Sequence, residues 1–274
     1  MIITEIYNGM GLGNQLANIV TTRCIALDNG YEWGIAHQER FKGHSFMTLD
    51  FGKPVIGGHT PVEGQAPSEL PEGIERYYRE KTTLHANGSD ISGYDDYLRR
   101  IPDNTMVHGL MQGSDYFIHR RAEIREWLKT EPLDVPENVC VLAFRGGEYV
   151  WVKDFFLPSS YWENAMEKMK KVRPDIVFRV VTDDVITAKQ FFPDLEITHE
   201  IGHDWRSIHN APYVILSNSS FGFFPAWLSL KLKYCIAPKY WGRFNISDGY
   251  WSIDQNYTQG WNYLDRDGVL TKEK

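Results

Sequence analysis

An α/β fold with parallel sheets is predicted for this chain by two kinds of periodicity and by where its polar residues fall. Apolar runs of strand length, among them Val139 to Phe144, Ile176 to Val181 and Tyr213 to Leu216, alternate with segments that carry apolar residues every three or four positions. Polar clusters stand where the runs stop: Arg145 with Glu148, Asp183 with Asp184, and Ser217 to Ser220. In a parallel sheet those carboxyl ends lie side by side, which is where α/β proteins bind ligands. One shared site explains the three clusters better than three unrelated helix caps.

The elements follow in order. Residues 2 to 7, IITEIY, predict a first strand, and Asn8-Gly9-Met10-Gly11-Leu12-Gly13-Asn14-Gln15 predicts a tight glycine loop. An amphipathic helix through Leu16, Ile19, Val20, Cys24 and Leu27 stops at Asn29-Gly30. The loop is GxGxG followed by Asn-Gln, not GxGxxG, and no acidic residue is placed to hold a ribose, so a dinucleotide site is not expected. From Phe51 to Asp103, Gly and Pro dominate, and loops with short elements are expected. Asn104 to His108 predicts a strand and HRRAEIREWLKT a charged helix, before a Pro-flanked linker at Glu131 to Pro136. Three parts result: a first domain at 1–135, a second at 136–250 and a tail at 251–274.

In the second half, Ser160 and Glu163 predict a capping box for a helix carrying Trp162, Ala165, Met166 and Met169 on one face. A helix with Ala188 and Phe191 follows Asp184, and Leu195 to Thr198 alternates as a strand. The stretch Leu216 to Trp241 predicts strand end, hydroxyl-rich turn, helix and a second strand, Tyr234 to Ala237. Ser or Asn at that turn caps the helix, and the N–H groups left over, at the positive end of the dipole, suit a phosphate.

Composition sets the class. The chain is 42% hydrophobic and 24% charged, and its formal net charge of -7 opposes nucleic acid or an anionic membrane as the main partner. Phosphate binding is therefore expected to be local. Cys24, Cys140 and Cys235 are far apart and each lies in an apolar segment, so free buried thiols are expected. No basic region precedes an apolar run at the N-terminus, and no apolar segment reaches membrane-spanning length. A cytoplasmic protein follows from these readings, and the sequons at Asn87, Asn218, Asn245 and Asn256 are then chance matches. Aromatic content of 14%, with nine Trp, fits a bulky core better than sugar-stacking platforms. The same preference for packing applies to Trp251, Tyr257, Trp261 and Tyr263 near the C-terminus.

Five motifs in order resemble the α-1,2-fucosyltransferases (glycosyltransferase family 11) and the wider inverting fucosyltransferase superfamily. They are GxGxGNQ near the N-terminus, GxxQxxDYF at Gly109 to Phe117, RxGEY at Arg145 to Tyr149, TDD at Thr182 to Asp184, and NSSFxxxxAWL at Asn218 to Leu228. The resemblance covers roughly residues 3 to 245. It implies a GT-B architecture, two Rossmann-like domains facing a cleft, with the glycan acceptor held by the first and GDP-fucose by the second. It implies inversion at the fucose anomeric carbon without a metal ion or a separate cofactor. By the same resemblance, Arg145 grips the β-phosphate, which suits a planar guanidinium that stays charged as GDP departs. Asp183 or Asp184 accepts from the guanine edge. Ser219, Ser220 and the backbone after them hold phosphate, Asn14, beside Gly11 and Gly13, reaches toward the transferred sugar, and Gln15, Asn218 and Phe221 count with them as donor-binding residues.

The chain also departs from the family pattern HxRRGDY. Ala143 stands for a His that helps hold the nucleotide, Gly146 for a second Arg, Glu148 for Asp, and Phe223-Phe224 for a common Trp pair. Glu148 is the first candidate for general base, with an orienting ion pair to Arg145 as the other use of the same carboxylate. Asp115 is the second candidate, or a helix cap. A degenerate member that binds a nucleotide sugar or glycan without turnover, and a transferase using another nucleotide sugar, are the alternatives. His199-Glu200-Ile201-Gly202-His203 spells HExxH, but after an alternating strand and with Gly202 inside it, a strand-to-loop segment is expected in place of a zinc hydrolase site. Asp265-Arg266-Asp267 is expected to be a solvated turn.

Overall fold

A computed structural model describes residues 1–60, 65–84, 90–92, 94–152, 155–239 and 258–269. The chain packs as two compact units, Met1–Lys129 and a second that starts at Thr130. Both are mixed α/β, and their main sheets are wholly parallel.

In the first unit, β1 (Ile2–Glu5) leads into α1 (Leu12–Asn29) and then β2 (Trp33–Ala36). Gly30 ends α1 in the left-handed conformation, and its N–H returns to Ala26 and Leu27. Strands β3 (Arg76–Arg79) and β6 (Thr105–His108) complete a four-stranded sheet in the order β2-β1-β6-β3, while β4 (Thr82–Leu84) and β5 (Asp90–Ser92) pair antiparallel outside it. The stretch expected to be loops thus contributes a sheet strand at Arg76–Arg79. Its exposed ends and polar sequence RYYR hide an edge strand from any apolar periodicity. The charged helix is shorter than expected, α2 spanning Arg121–Trp127 after two short 3-10 turns.

The second unit is doubly wound. Strand β7 (Val139–Phe144) is followed by α3 (Ser159–Val172), β8 (Val177–Thr182), α4 (Val185–Phe191) and β9 (Glu196–Thr198). Then come α5 (Ile201–Asn210), β10 (Tyr213–Leu216), α6 (Ser220–Leu228), β11 (Tyr234–Pro238) and β12 (Asn262–Leu264). The sheet order is β12-β11-β10-β7-β8-β9, so the chain runs outward from β7 to β9, then returns to β10 and runs the other way. That reversal makes a topological switch point between β7 and β10.

Strands buried on both faces must be apolar throughout, and VCVLAF and YVIL are. Cys140, Leu142 and Phe144 meet Tyr161, Trp162, Ala165 and Met169 of α3 and Ala188 of α4 on one face. On the other, the first turn of α6 packs so closely on Leu216 and Ala143 that a Cβ at Gly222 would lie 3.0 Å from Leu216. Trp162, Trp205 and Trp227 are fully buried, as are all three free cysteines, whose thiols burial pushes up.

Two local expectations are corrected. Helix α3 starts at Ser159 with Pro158 at the N-cap and no capping side chain, so Ser160 is already helical and cannot act in a capping box with Glu163. The segment after His199 is a ten-residue helix, not a loop. Residues 258–269 join the second unit: β12 pairs with β11, and Trp261 and Tyr263 are buried. Asp265 to Gly268 forms a turn in which Gly268 N–H donates to Asp265 O at 3.0 Å. Asn87, Asn245, Asn256, Trp251 and Tyr257 lie outside the described residues. Among the described residues no helix is long and apolar enough to cross a membrane.

Trp162→Ala should cost about 3–5 kcal/mol by opening a cavity between α3 and the sheet. Urea unfolding followed in the second unit measures it, and a loss under about 1 kcal/mol contradicts the packing described.

Candidate active site

Three strand ends converge at the carboxyl edge of the six-stranded sheet. Phe144 ends β7 opposite Thr182 of β8, and Leu216 of β10 pairs with Ala143 on the other side. Arg145, Asp183-Asp184 and Ser217 to Ser220 follow these ends directly. Eight of the site residues expected from sequence, Arg145, Glu148, Asp183, Asp184, Asn218, Ser219, Ser220 and Phe221, therefore share one edge.

Arg145 is held by carboxylates. Its Nη1 lies 2.5 Å from Oδ2 of Asp183, its Nη2 is ion-paired with Glu148, and its guanidinium stands 4.9 Å from the centre of the Tyr149 ring. Its Nε is buried without a hydrogen-bond partner. Glu148 is 70% exposed, and an ion pair so open to water contributes about 0–1 kcal/mol, weak enough for an incoming anion to displace. The guanidinium is therefore positioned firmly but available.

The two aspartates shape the loop that carries it. Asp183 Oδ1 accepts from Gly146 N–H at 2.9 Å and Asp184 Oδ2 from Gly147 N–H at 3.2 Å. Asp184 also caps α4, accepting from Thr187 N–H at 3.0 Å and from the Thr187 hydroxyl at 2.6 Å. These hydrogen bonds, the hydroxyl's first, hold its carboxyl below the usual carboxylate range. The glycines are required here. A Cβ at Gly146 would lie 2.6 Å from Asp184 Cβ, and Gly147 has φ 53° with Asp183 Oδ2 2.6 Å from the Cβ position. Gly146, where the family pattern has Arg, thus goes with an aspartate packed directly against it.

Beyond the switch point, Ser219 caps α6, its hydroxyl accepting from Phe221 N–H at 3.4 Å, with Ser220 as the first helical residue. Asn218 is buried and donates to Phe155 O at 2.9 Å, tying the turn to the chain after Arg145. Phe221 packs edge-on to Trp205.

The remaining expected residues sit in the first unit, at the carboxyl end of β1. Gly11 is the N-cap of α1 without a capping side chain, and Gly13 is buried in its first turn. Asn14 accepts from Gln112 Nε2 at 2.7 Å. Gln15 is buried and bridges backbone, donating to Arg40 O at 3.0 Å and accepting from Lys42 N–H at 2.9 Å. Asp115 is exposed, and the cap position of its short helix is Gly113, which has no side chain to cap with. The HExxH letters divide between elements: His199 Nδ1 lies 2.7 Å from Thr182 O before α5, while Glu200 is the N-cap of α5 and accepts from Gly202 and His203 N–H. Among the described residues no three His, Cys, Asp or Glu side chains gather as metal ligands.

Sequence inspection missed a polar cluster at the carboxyl edge of the four-stranded sheet. Buried Glu5 and His108 end neighbouring strands, with Oε1 and Nε2 2.9 Å apart, and His37 follows β2 with its Nε2 3.9 Å from Glu5 Oε2. Burial alone would raise the Glu5 carboxyl; His108, the Thr60 hydroxyl and His37 together keep it below its ordinary range. The one available signal was an acid inside an apolar strand, IITEIY.

A doubly wound sheet with a cation and a hydroxyl-capped helix at its switch point is an arrangement with which α/β proteins can bind phosphorylated ligands. The model of the family described as Glycosyl transferase family 11 matches residues 76–265, more than half of the chain, and the chain belongs to that family, a family of glycosyltransferases. The glycine loop after β1 lies outside the matched residues. A comparison with curated proteins finds no match.

Asp184→Ala should destabilise the second unit by about 1 kcal/mol, the worth of an N-cap. The sign with pH follows from the depressed carboxyl. Its contribution is full above the unfolded value near 4 and is lost as pH falls through the lower folded value. Melting from pH 7 to 2 should show wild type and Asp184→Ala converging on acidification, and a constant gap contradicts the assignment.

Proposed function

We propose that this protein transfers fucose from GDP-fucose to a hydroxyl of a glycan acceptor, with inversion and without a metal ion. The observation that carries it is Arg145, an exposed-edge guanidinium fixed at the switch point of a family 11 chain by Asp183 and only loosely held by Glu148. As the bond from the anomeric carbon to the β-phosphate breaks, negative charge grows on GDP, and a preorganised guanidinium beside it lowers the barrier. A fork of N–H donors fits phosphate oxygens in the way a hydrated cation does in metal-dependent transferases.

The first-turn N–H groups of α6, behind Ser219, add dipolar stabilisation to a phosphate at the same edge. Asp183 and Asp184 support the site through the backbone of Gly146 and Gly147, and any guanine contact comes from the carboxylate lone pairs that those bonds leave open. A GT-B arrangement of the two units, the first facing the acceptor and the second the donor, goes with this function. Three buried free thiols go with a reducing, cytoplasmic setting.

Arg145→Ala should reduce turnover of GDP-fucose by about 10²–10³-fold with a smaller effect on melting temperature, since its pair with Glu148 is solvent-exposed and only that with Asp183 is partly buried. Wild-type turnover should be insensitive to EDTA, and NMR should show a product anomer opposite to that of the donor. Retention of the donor configuration, or activity abolished by the chelator, overturns the proposal.

A further inference from the structure

One large aromatic side chain near the carboxyl edge of the six-stranded sheet takes no part in the core. Trp151 is 87% exposed, the most exposed of the large apolar side chains among the described residues. Trp is mostly buried in folded proteins, and Trp162, Trp205 and Trp227 of the same unit follow that rule. An indole left in water stabilises the fold little, but beside a ligand-binding edge it offers a large, rigid, flat face to the ligand.

Its place is fixed by the turn that follows Arg145. Gly147–Trp151 is a stretch of 3-10 helix, held by Tyr149 N–H donating to Gly146 O at 3.0 Å and by Val152 N–H donating to Tyr149 O at 2.9 Å. Such a helix repeats every three residues, so side chains three apart stand one above the other. Glu148 and Trp151 therefore share a face, separated by about 6 Å along the axis. Burial follows the same period: Glu148 and Trp151 are exposed, and Tyr149 and Val150 between them are half-buried. Because Glu148 is ion-paired with Arg145, the indole stands on the side of the turn that faces the guanidinium. The nearer ring, Tyr149, already lies against that guanidinium, 4.9 Å from its centre, which leaves the indole of Trp151 as the open aromatic face.

We propose that Trp151 is the stacking platform for the purine base of the donor nucleotide. This rests on the function proposed above, and every residue it uses lies in the second unit. The turn that carries Trp151 starts on the β8 side of the switch point, since the N–H groups of Gly146 and Gly147 are held by Asp183 and Asp184. The phosphate-suited turn, Ser217 to Ser220, follows β10 on the opposite side of β7. A diphosphate lying between Arg145 and the first turn of α6 then directs its nucleoside along the edge toward β8, where the indole is presented. Stacking on an aromatic face does not depend on the hydrogen-bonding edge of the base, so Trp151 supplies affinity and leaves the choice of base to carboxylate lone pairs beside it.

The test is calorimetric titration of the full chain with GDP and with inorganic pyrophosphate, which has the phosphates without the base. Trp151→Ala should bind GDP about 5–150-fold more weakly than wild type and pyrophosphate equally well, and should melt with wild type because the indole is outside the core. Trp151→Phe, which keeps an aromatic face, should recover most of the GDP affinity. Arg145→Ala should weaken both ligands. Fluorescence gives a second reading: GDP should quench part of the wild-type tryptophan emission, and that part should be missing from Trp151→Phe. Wild-type affinity for GDP in Trp151→Ala, or an affinity in Trp151→Phe no better than in Trp151→Ala, overturns this proposal, and a loss of GDP binding in Arg145→Ala then leaves the phosphate site standing. No binding of GDP by wild type overturns both.

Discussion

Parallel pairing of β7 with β10, from Tyr213 opposite Cys140 to Leu216 opposite Ala143, sets Arg145 beside the turn from Ser217 to Ser220, and the site of the second unit depends on that register. A slip of one residue would turn one strand's side chains to the opposite faces, and because both strands are apolar throughout it is the fitted packing of α3 and α6 on the two faces that opposes it. The register is further tied across elements by the Tyr161 hydroxyl, which donates to Leu216 O at 2.7 Å. Function is thus anchored in the core rather than in the loops that display it.

Electrostatics then divides the labour at that edge. Asp184 is bound into the backbone and a helix cap by several hydrogen bonds, so it serves as architecture. Arg145 is held by one half-exposed and one well-exposed carboxylate, an arrangement that positions a cation without neutralising it for good. Gly146 belongs to the same design: the loop can follow the two aspartates only because no side chain intervenes. The departure from the family pattern at this position is therefore a coupled change, in which close aspartate packing takes the place of a second guanidinium.

Much of this was legible in the sequence, for physical reasons that also explain the misses. Strands buried on both faces, VCVLAF and YVIL, announce themselves because nothing polar is tolerated in them. Strands WGIA and RYYR do not, the one interrupted by a glycine and the other polar at both ends, so that tertiary pairing and not sequence marks them. Helix α5 was hidden by Gly202 and by a glutamate in the capping position, where Ser, Thr, Asp or Asn is the usual signal. The capping box at Ser160 failed by two residues, since the N-cap is Pro158 and the helix already begins at Ser159. Arg145, Asp183 and Ser217 could be placed at one sheet edge because each follows its strand directly. Glu5, His37 and His108 could not, since they are isolated polar residues far apart in the chain, and only the pairing of β1 with β2 and β6 assembles them.

The central claim, that the second unit holds a guanosine diphosphate sugar at Arg145, is tested most directly by thermal melting of the protein with GDP, GDP-fucose, UDP or ADP. At a hundredfold excess over the dissociation constant, a ligand that binds only the folded chain adds about 2.7 kcal/mol of stability. The account predicts a clear upward shift with GDP and GDP-fucose, not with UDP or ADP, and its disappearance in Arg145→Ala. No shift with either guanosine compound, or an equal shift in Arg145→Ala, would contradict it.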